Sequence, residues 1–501
     1  MRYRLASAVA LVVASSAHAQ QYEFDLRSKF EREVLKKTMQ PGFFLQPRIE
    51  SALMLVGNIN LAEDAADEVD VAGIEVAPGI YTSYLTPRTE AFLDYSLIGR
   101  VWEEDDYDEI SHRLNASGAY LVDPEWFRVQ ARASYTDSIL DPTRSSNYGG
   151  MGVFGQSNLS EMATASVSPQ LFHDFSDFRL DAQYTYGRVW FLDKKDITDQ
   201  VIFSLYEDDS TDQQALVSLK TRGDNRGTTG RLFYEWQDSE FENTVGYRYE
   251  RAGAEAGLRL TRTLRFVGDG GVESDLDEST VAGGLDSAFW HAGLEWRPDE
   301  RTTLDARYGE RFFGDSWSLS LSRETRYVTM RVSYVEDPDV ETRRVGINLD
   351  PNAPPIENPS FDLSGFTSYP FVGKTAMASV LAEGGRTKLR LDVYNRQREY
   401  INNFPPDEET QGVRFNALYD LGAYLYAEFD TRYEDILAGR REGDLSEAVT
   451  TFHDYDWEVM GRLTWEAYKN LKVAGEAGYL SRSGDTNYTG QWLAVRFRYD
   501  F

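Results

Sequence analysis

Beyond a short leader, four histidines remain in the chain: His112, His173, His291 and His453, one to a segment. A metal site carried on one element needs histidines at short fixed spacings, and no pair here shows metal-ligand spacing. A Gly-x-Ser-x-Gly elbow and a glycine-rich phosphate loop are both missing. The sequence has no cysteine, which rules out thiolate metal sites and thiol nucleophiles. His453 beside Asp454 and Asp456 comes nearest to an acid–base group, yet acidic residues are so common that chance adjacency accounts for it. His112 falls in phase with Leu114 and Ala116 on an apolar row, which suits an interfacial structural role. Catalytic residues, a metal site and a cofactor are therefore not expected.

Charged side chains at alternating positions carry the chemistry instead. Arg128, Arg132, Arg179, Asp181, Asp305, Arg307, Arg390, Asp392, Glu428, Asp430, Arg432, Arg462, Arg496 and Arg498 all sit between apolar neighbours of the opposite phase. An arginine facing lipid near the midplane costs on the order of 2–4 kcal/mol, so these residues are expected to line an enclosed aqueous lumen. Two readings of them stay open: a ladder of mutual arginine–carboxylate pairs that stiffens a wall, and a transverse field that selects a polar solute.

Elements that present alternate residues to opposite sides are β-strands. Phe127, Val129, Ala131, Ala133 and Tyr135 form one face against Arg128, Gln130, Arg132 and Ser134. Phe178, Leu180, Ala182, Tyr184 and Tyr186 alternate with Arg179, Asp181, Gln183 and Thr185. Trp457, Val459, Gly461, Leu463 and Trp465 form a third row, with an aromatic at each end, as in the girdles at the two membrane interfaces. The rows commonly run nine to eleven residues, the length of a tilted strand crossing a bilayer. Short connections (Thr86-Pro87-Arg88, Asp123-Pro124-Glu125, 223–227, 297–301, 383–386) alternate with long ones (141–156, 193–209, 337–373, 437–453). The stretch 337–373 contains Pro338, Pro351, Pro354, Pro355, Pro359 and Pro370, and is expected either to fold inward as a plug or to lie outside as a loop.

The last strand ends the chain on Leu493, Val495, Phe497, Tyr499 and Phe501, an unbroken apolar row. A terminal aromatic preceded by apolar residues at every second position resembles the signal read by the barrel-assembly machinery of Gram-negative outer membranes. At the other end, Arg2 and Arg4, an apolar run from Leu5 to Ala14 and the small-residue site Ala17-His18-Ala19 read as a secretory leader cleaved near Ala19/Gln20. Leu26, Phe30 and Val34 then recur at a spacing of four, suggesting a short helix before Pro41-Gly42. The organisation expected is 1–19 signal peptide, 20–42 periplasmic segment and 43–501 barrel.

No stretch holds the roughly 18–20 uncharged apolar residues that a membrane helix needs. A formal charge of −30 disfavours nucleic acid as a partner. Acidic runs such as Glu103-Glu104-Asp105-Asp106, Glu207-Asp208-Asp209 and Asp407-Glu408-Glu409 read as solvated loops or as a cation-attracting mouth. The fold expected is all-β: an antiparallel up-and-down transmembrane barrel of about 22 strands, within a range of 18 to 24, with both termini periplasmic. Its surroundings would be outer-membrane lipid and lipopolysaccharide.

Two stretches add a family resemblance. The run FWHAGLEWRPDERTTLDARYGERFFGDSWSLSLSRETRYVTMRVSYVED from Phe289 and the run YPFVGKTAMASVLAEGGRTKLRLDVYNRQREY from Tyr369 are similar to outer-membrane barrels found with exosortase/PEP-CTERM and exopolysaccharide loci. Membership would imply an outer-membrane pore or export component serving secretion of extracellular polysaccharide and surface proteins, with periplasmic polysaccharide-export proteins as partners. A diffusion porin and a non-conducting anchoring barrel are the alternatives.

Overall fold

In the computed structural model the described residues are 41–139, 159–192, 208–222, 227–242, 246–276, 284–339, 370–401, 407–441 and 449–501. The leader, the helix expected within 20–40 and prolines 351–359 lie outside them. Among the described residues, twenty-two strands run from β1 (Gly42–Gly57) to β22 (Tyr488–Asp500), each antiparallel to the next. β22 pairs in turn with β1, from Arg48↔Asp500 to Gly57↔Gln491, so the sheet closes on itself. Closure is what hydrocarbon demands, because an open edge would leave backbone amides unpaired in lipid.

Connections after even-numbered strands are two to six residues long, whereas those after odd-numbered strands reach about thirty, between β15 (Val328–Asp339) and β16 (Phe371–Glu383). In transmembrane barrels the short turns face the periplasm. The start of β1 and the end of β22 share that end of the molecule. The connection expected over 437–453 is much shorter than the sequence suggests, because β19 (Leu425–Arg441) and β20 (Val449–Tyr468) continue well past the length a bilayer requires. Glu408 and Glu409 likewise belong to β18 (Glu408–Asp420) rather than to a loop.

The two faces of the wall differ in kind. On β20, Trp457, Leu463 and Trp465 are 49%, 47% and 54% exposed, while Glu458 and Met460 between them are buried. Leu493, Val495, Phe497, Tyr499 and Phe501 are all exposed, and Trp492, Ala494 and Asp500 are buried. An uncovered apolar row beside a buried charged one inverts the soluble pattern and is the arrangement that lipid stabilises. The molecule is a transmembrane β-barrel of the outer-membrane type.

Candidate functional site: the charged inner wall

Register fixes which side chains share a face, since directly paired residues point the same way. Following the pairs round the barrel, all fourteen charged positions singled out above stand on the side away from the exposed apolar rows. Strand geometry alone places them there, because each is one residue out of phase with its apolar neighbours.

The charges do not stand singly. One chain of ion pairs runs from β4 (Glu109–Asp123) to β19: Glu109–Arg100 at 2.7 Å, Arg100–Glu75 at 2.9 Å and Glu75–Arg496 at 3.2 Å. It continues through Arg496–Glu476 at 3.7 Å, Glu476–Arg462 at 2.6 Å and Arg462–Glu428 at 3.3 Å. This chain crosses the closure seam. Glu75 on β2 (Val71–Leu85) and Arg496 on β22 both lie in register with Ala52 of β1, and reach each other over its methyl group. Nearer the short turns, Arg498 lies 3.4 Å from Glu50 and donates to Asp500 at 3.2 Å.

A second network covers β10 (Tyr247–Arg259) to β13 (Thr302–Arg311). Arg307 donates to Asp305 at 3.0 Å, Glu255 at 2.9 Å and Asp269 at 3.3 Å. His291 Nδ1 is 2.9 Å from Asp269, and the Arg251 guanidinium lies 4.1 Å from the Phe289 ring centre. A methyl group at Gly293 would collide with the Ala306 carbonyl and meet Arg307 Cγ at 2.8 Å, so glycine there allows the close approach of the neighbouring strand that carries the arginine. A third network joins Arg390–Asp392 at 2.7 Å, Arg414–Asp430 at 3.1 Å and Arg432 with Glu434 and Glu458, each at 3.4 Å. Arg179 pairs with Asp181 at 3.0 Å, and Lys220 approaches the same carboxylate at 3.6 Å. Arg128 donates to Gln170 at 2.6 Å. Arg132 stands between Ser117 and Ser166 in register.

At the long-loop end the wall carries an apolar patch. Met54, Val56, Trp102, Met460, Leu480 and Trp492 form a buried cluster with Ile59 and Leu61 of the β1–β2 connection. That connection therefore folds onto the enclosed face. Asn58 holds it there, with φ at 54° and its amide donating to the carbonyls of Ala62 at 3.0 Å and Thr489 at 2.7 Å. Tyr107, in the turn after β3 (Thr89–Trp102), packs against the same cluster; burial, with Asp106 and Glu104 nearby, pushes its phenol above the ordinary range.

The histidines are dispersed. His453 faces outward and lies 2.6 Å from Asp435, on the opposite side of β20 from Asp454 and Asp456. His112 also faces outward, 2.8 Å from the Tyr95 hydroxyl and edge-on to Tyr135. His173 stacks on Trp126 with ring centres 3.5 Å apart. Sequence reasoning missed Glu75, Arg100, Asp269, Glu476 and the inward placement of His291. Glu75, between Ile74 and Val76, carried the same alternating signal as the residues it did find.

No protein-family model matches the chain, and no curated protein matches it. Among solved structures, the FrpB iron transporter from Neisseria meningitidis (F5-1 variant) aligns over 94% of this chain and 84% of its own, at 8% identity and a TM-score of 0.49. The siderophore receptor PirA from Acinetobacter baumannii aligns over 92% and 81%, at 10% identity and a TM-score of 0.49. Similarities of this size assign no cargo to the present chain. The resemblance to exosortase-associated barrels rests on the two sequence stretches alone.

Proposed function

We propose that the protein is an outer-membrane conduit for extracellular polysaccharide, working with periplasmic export proteins after removal of its signal peptide. One observation carries the reading: the inner wall is polar throughout much of its circumference, yet most of the charges described on it are matched in pairs. A self-neutralised wall offers hydrogen-bonding groups to a sugar chain without the strong fixed field that would trap a charged solute. Much of the chain's surplus negative charge lies elsewhere, in rim stretches such as Glu103–Asp106 and on outward positions such as Glu409 and Asp435. An uncharged polymer fits such a lumen better than a polyanion. Loss of the gene is expected to lower the amount or length of secreted polysaccharide; unchanged secretion from a clean deletion sinks the proposal.

The acidic rim favours a second reading, a cation-preferring diffusion porin. Planar-bilayer recording separates the two. A porin gives ohmic conductance with a cation preference that salt screens, and its deletion leaves polysaccharide untouched. The inward β1–β2 connection also suits a third role, an anchoring barrel, which would neither conduct nor alter secretion.

A further inference from the structure

Among the described residues, the shortest ladder between neighbouring strands is the one between the fourteenth and fifteenth. The ladder between β14 (Gly314–Glu324) and β15 runs only from Leu319↔Tyr334 to Glu324↔Thr329. Beyond it, residues 314–318 pair with β13 alone, and residues 335–339 pair with β16 alone. The parting lies at membrane level. Trp317 faces outward within an aromatic group, 4.4 Å from Tyr308, which is itself 6.0 Å from Trp290. That group is a girdle of the kind found where acyl chains meet headgroups.

Backbone groups released at this depth must find other partners, since each one left unpaired costs several kcal/mol. Side chains supply partners for the Trp317 N–H and the Glu336 carbonyl. The Glu336 carboxylate accepts from the Trp317 backbone N–H at 3.0 Å and from the Tyr334 hydroxyl. Arg311 donates to the Glu336 carbonyl at 3.2 Å and to the Asp337 carboxylate at 2.8 Å. Arg311 is itself fixed by Glu273 at 2.9 Å and the Tyr249 hydroxyl at 2.7 Å. Pro338, which has no N–H to give, stands where β14 no longer pairs with β15.

A seam held by side chains can open by rotation about single bonds, while a backbone ladder must be unzipped. Outside it lie lipid, Trp317 and Tyr334; inside lie the small Ser316 and Ser318, with Asp337 and Arg311 at the edge. From these features we propose that the β14–β15 parting is a latched lateral portal, through which the acyl chain of a membrane amphipath reaches the lumen. The portal is independent of the polysaccharide reading and stands or falls by itself.

Because the chain has no cysteine, single cysteines report cleanly. Bimane is attached at Ser318→Cys, at the inward Ser166→Cys, which is paired with a strand on each side, and at the outward Leu319→Cys. The full-length protein is placed in phosphatidylcholine vesicles with and without brominated acyl chains. Bromine is expected to quench Leu319 strongly and Ser166 little. Ser318 should be quenched severalfold more than Ser166, and more again when Glu336→Gln weakens the latch. Should E336Q fail to assemble, Asp337→Asn loosens Arg311 from the same latch and takes its place. Equal quenching at Ser318 and Ser166, in both the native and the latch-weakened proteins, overturns the portal.

Discussion

Ala52 shows how a small residue decides a charged contact. With 1% of its surface exposed, it lies under the bridge from Glu75 to Arg496, and a longer side chain would occupy the space that the guanidinium crosses. Ala52→Leu is expected to lower stability by about 1–3 kcal/mol through overpacking, read from urea unfolding in detergent micelles. A second residue-scale expectation concerns pH. Asp299, in the turn before β13, accepts from the Arg301 backbone N–H at 2.8 Å, and this bond, with the help of Thr302, holds its carboxyl below the usual range. A depressed folded value means that the stabilisation is present above the unfolded value and vanishes as pH falls through the folded one. Asp299→Asn should therefore speed amide exchange in residues 297–303 at neutral pH and change nothing once the native carboxyl is itself protonated. Neither pairing was legible beforehand. The sequence shows that Glu75 and Arg496 point the same way, but residues 421 positions apart meet only because strand closure brings them together.

Prolines explain much at the scale of the element. Among the described residues five lie within strands, and each stands where one of its two ladders is interrupted. Pro47 precedes the start of the β1–β22 ladder, and Pro78 falls between Val76↔Gly99 and Gly79↔Ser96. Pro169 falls between Val167↔Tyr186 and Gln170↔Gln183, Pro298 in the bulge after Trp296, and Pro338 past the end of β14–β15. The pattern follows from the missing donor. Pro78→Ala should leave assembly unchanged, whereas Val76→Pro, two residues away on a position paired on both sides, should sharply reduce the heat-modifiable folded fraction in outer membranes. Removing Phe501, 69% exposed at the end of the terminal row, should slow assembly and raise the periplasmic protease-sensitive pool. Strand faces were legible wherever period two held, as on β7 (Phe178–Phe191), β20 and β22. The outer ends of β19 and β20 were not, because above the lipid the outward face turns polar, with His453 against Asp435, and the alternation that marks a membrane strand disappears.

At the scale of the whole molecule, closure, lipid contact and the paired inner wall are one fact seen from different sides. Twenty-two strands close without an edge, and the alternation then assigns every second side chain to lipid or to the enclosed space. The strand number was legible to within a hairpin, since alternating segments and turn residues can be counted; residues 240–272 fall in the end of β9 (Thr228–Phe241), β10 and β11 (Leu264–Glu273). How the wall is wired was not, because ion pairing depends on register between strands. The most direct measurement is a cysteine scan along β7, residues 179–186, in native outer membranes with a water-soluble, membrane-impermeant thiol reagent. Positions 179 and 183, the less buried of the inward residues, should react and 180, 182, 184 and 186 should not. Uniform reaction along the strand, or the opposite alternation, would contradict the account.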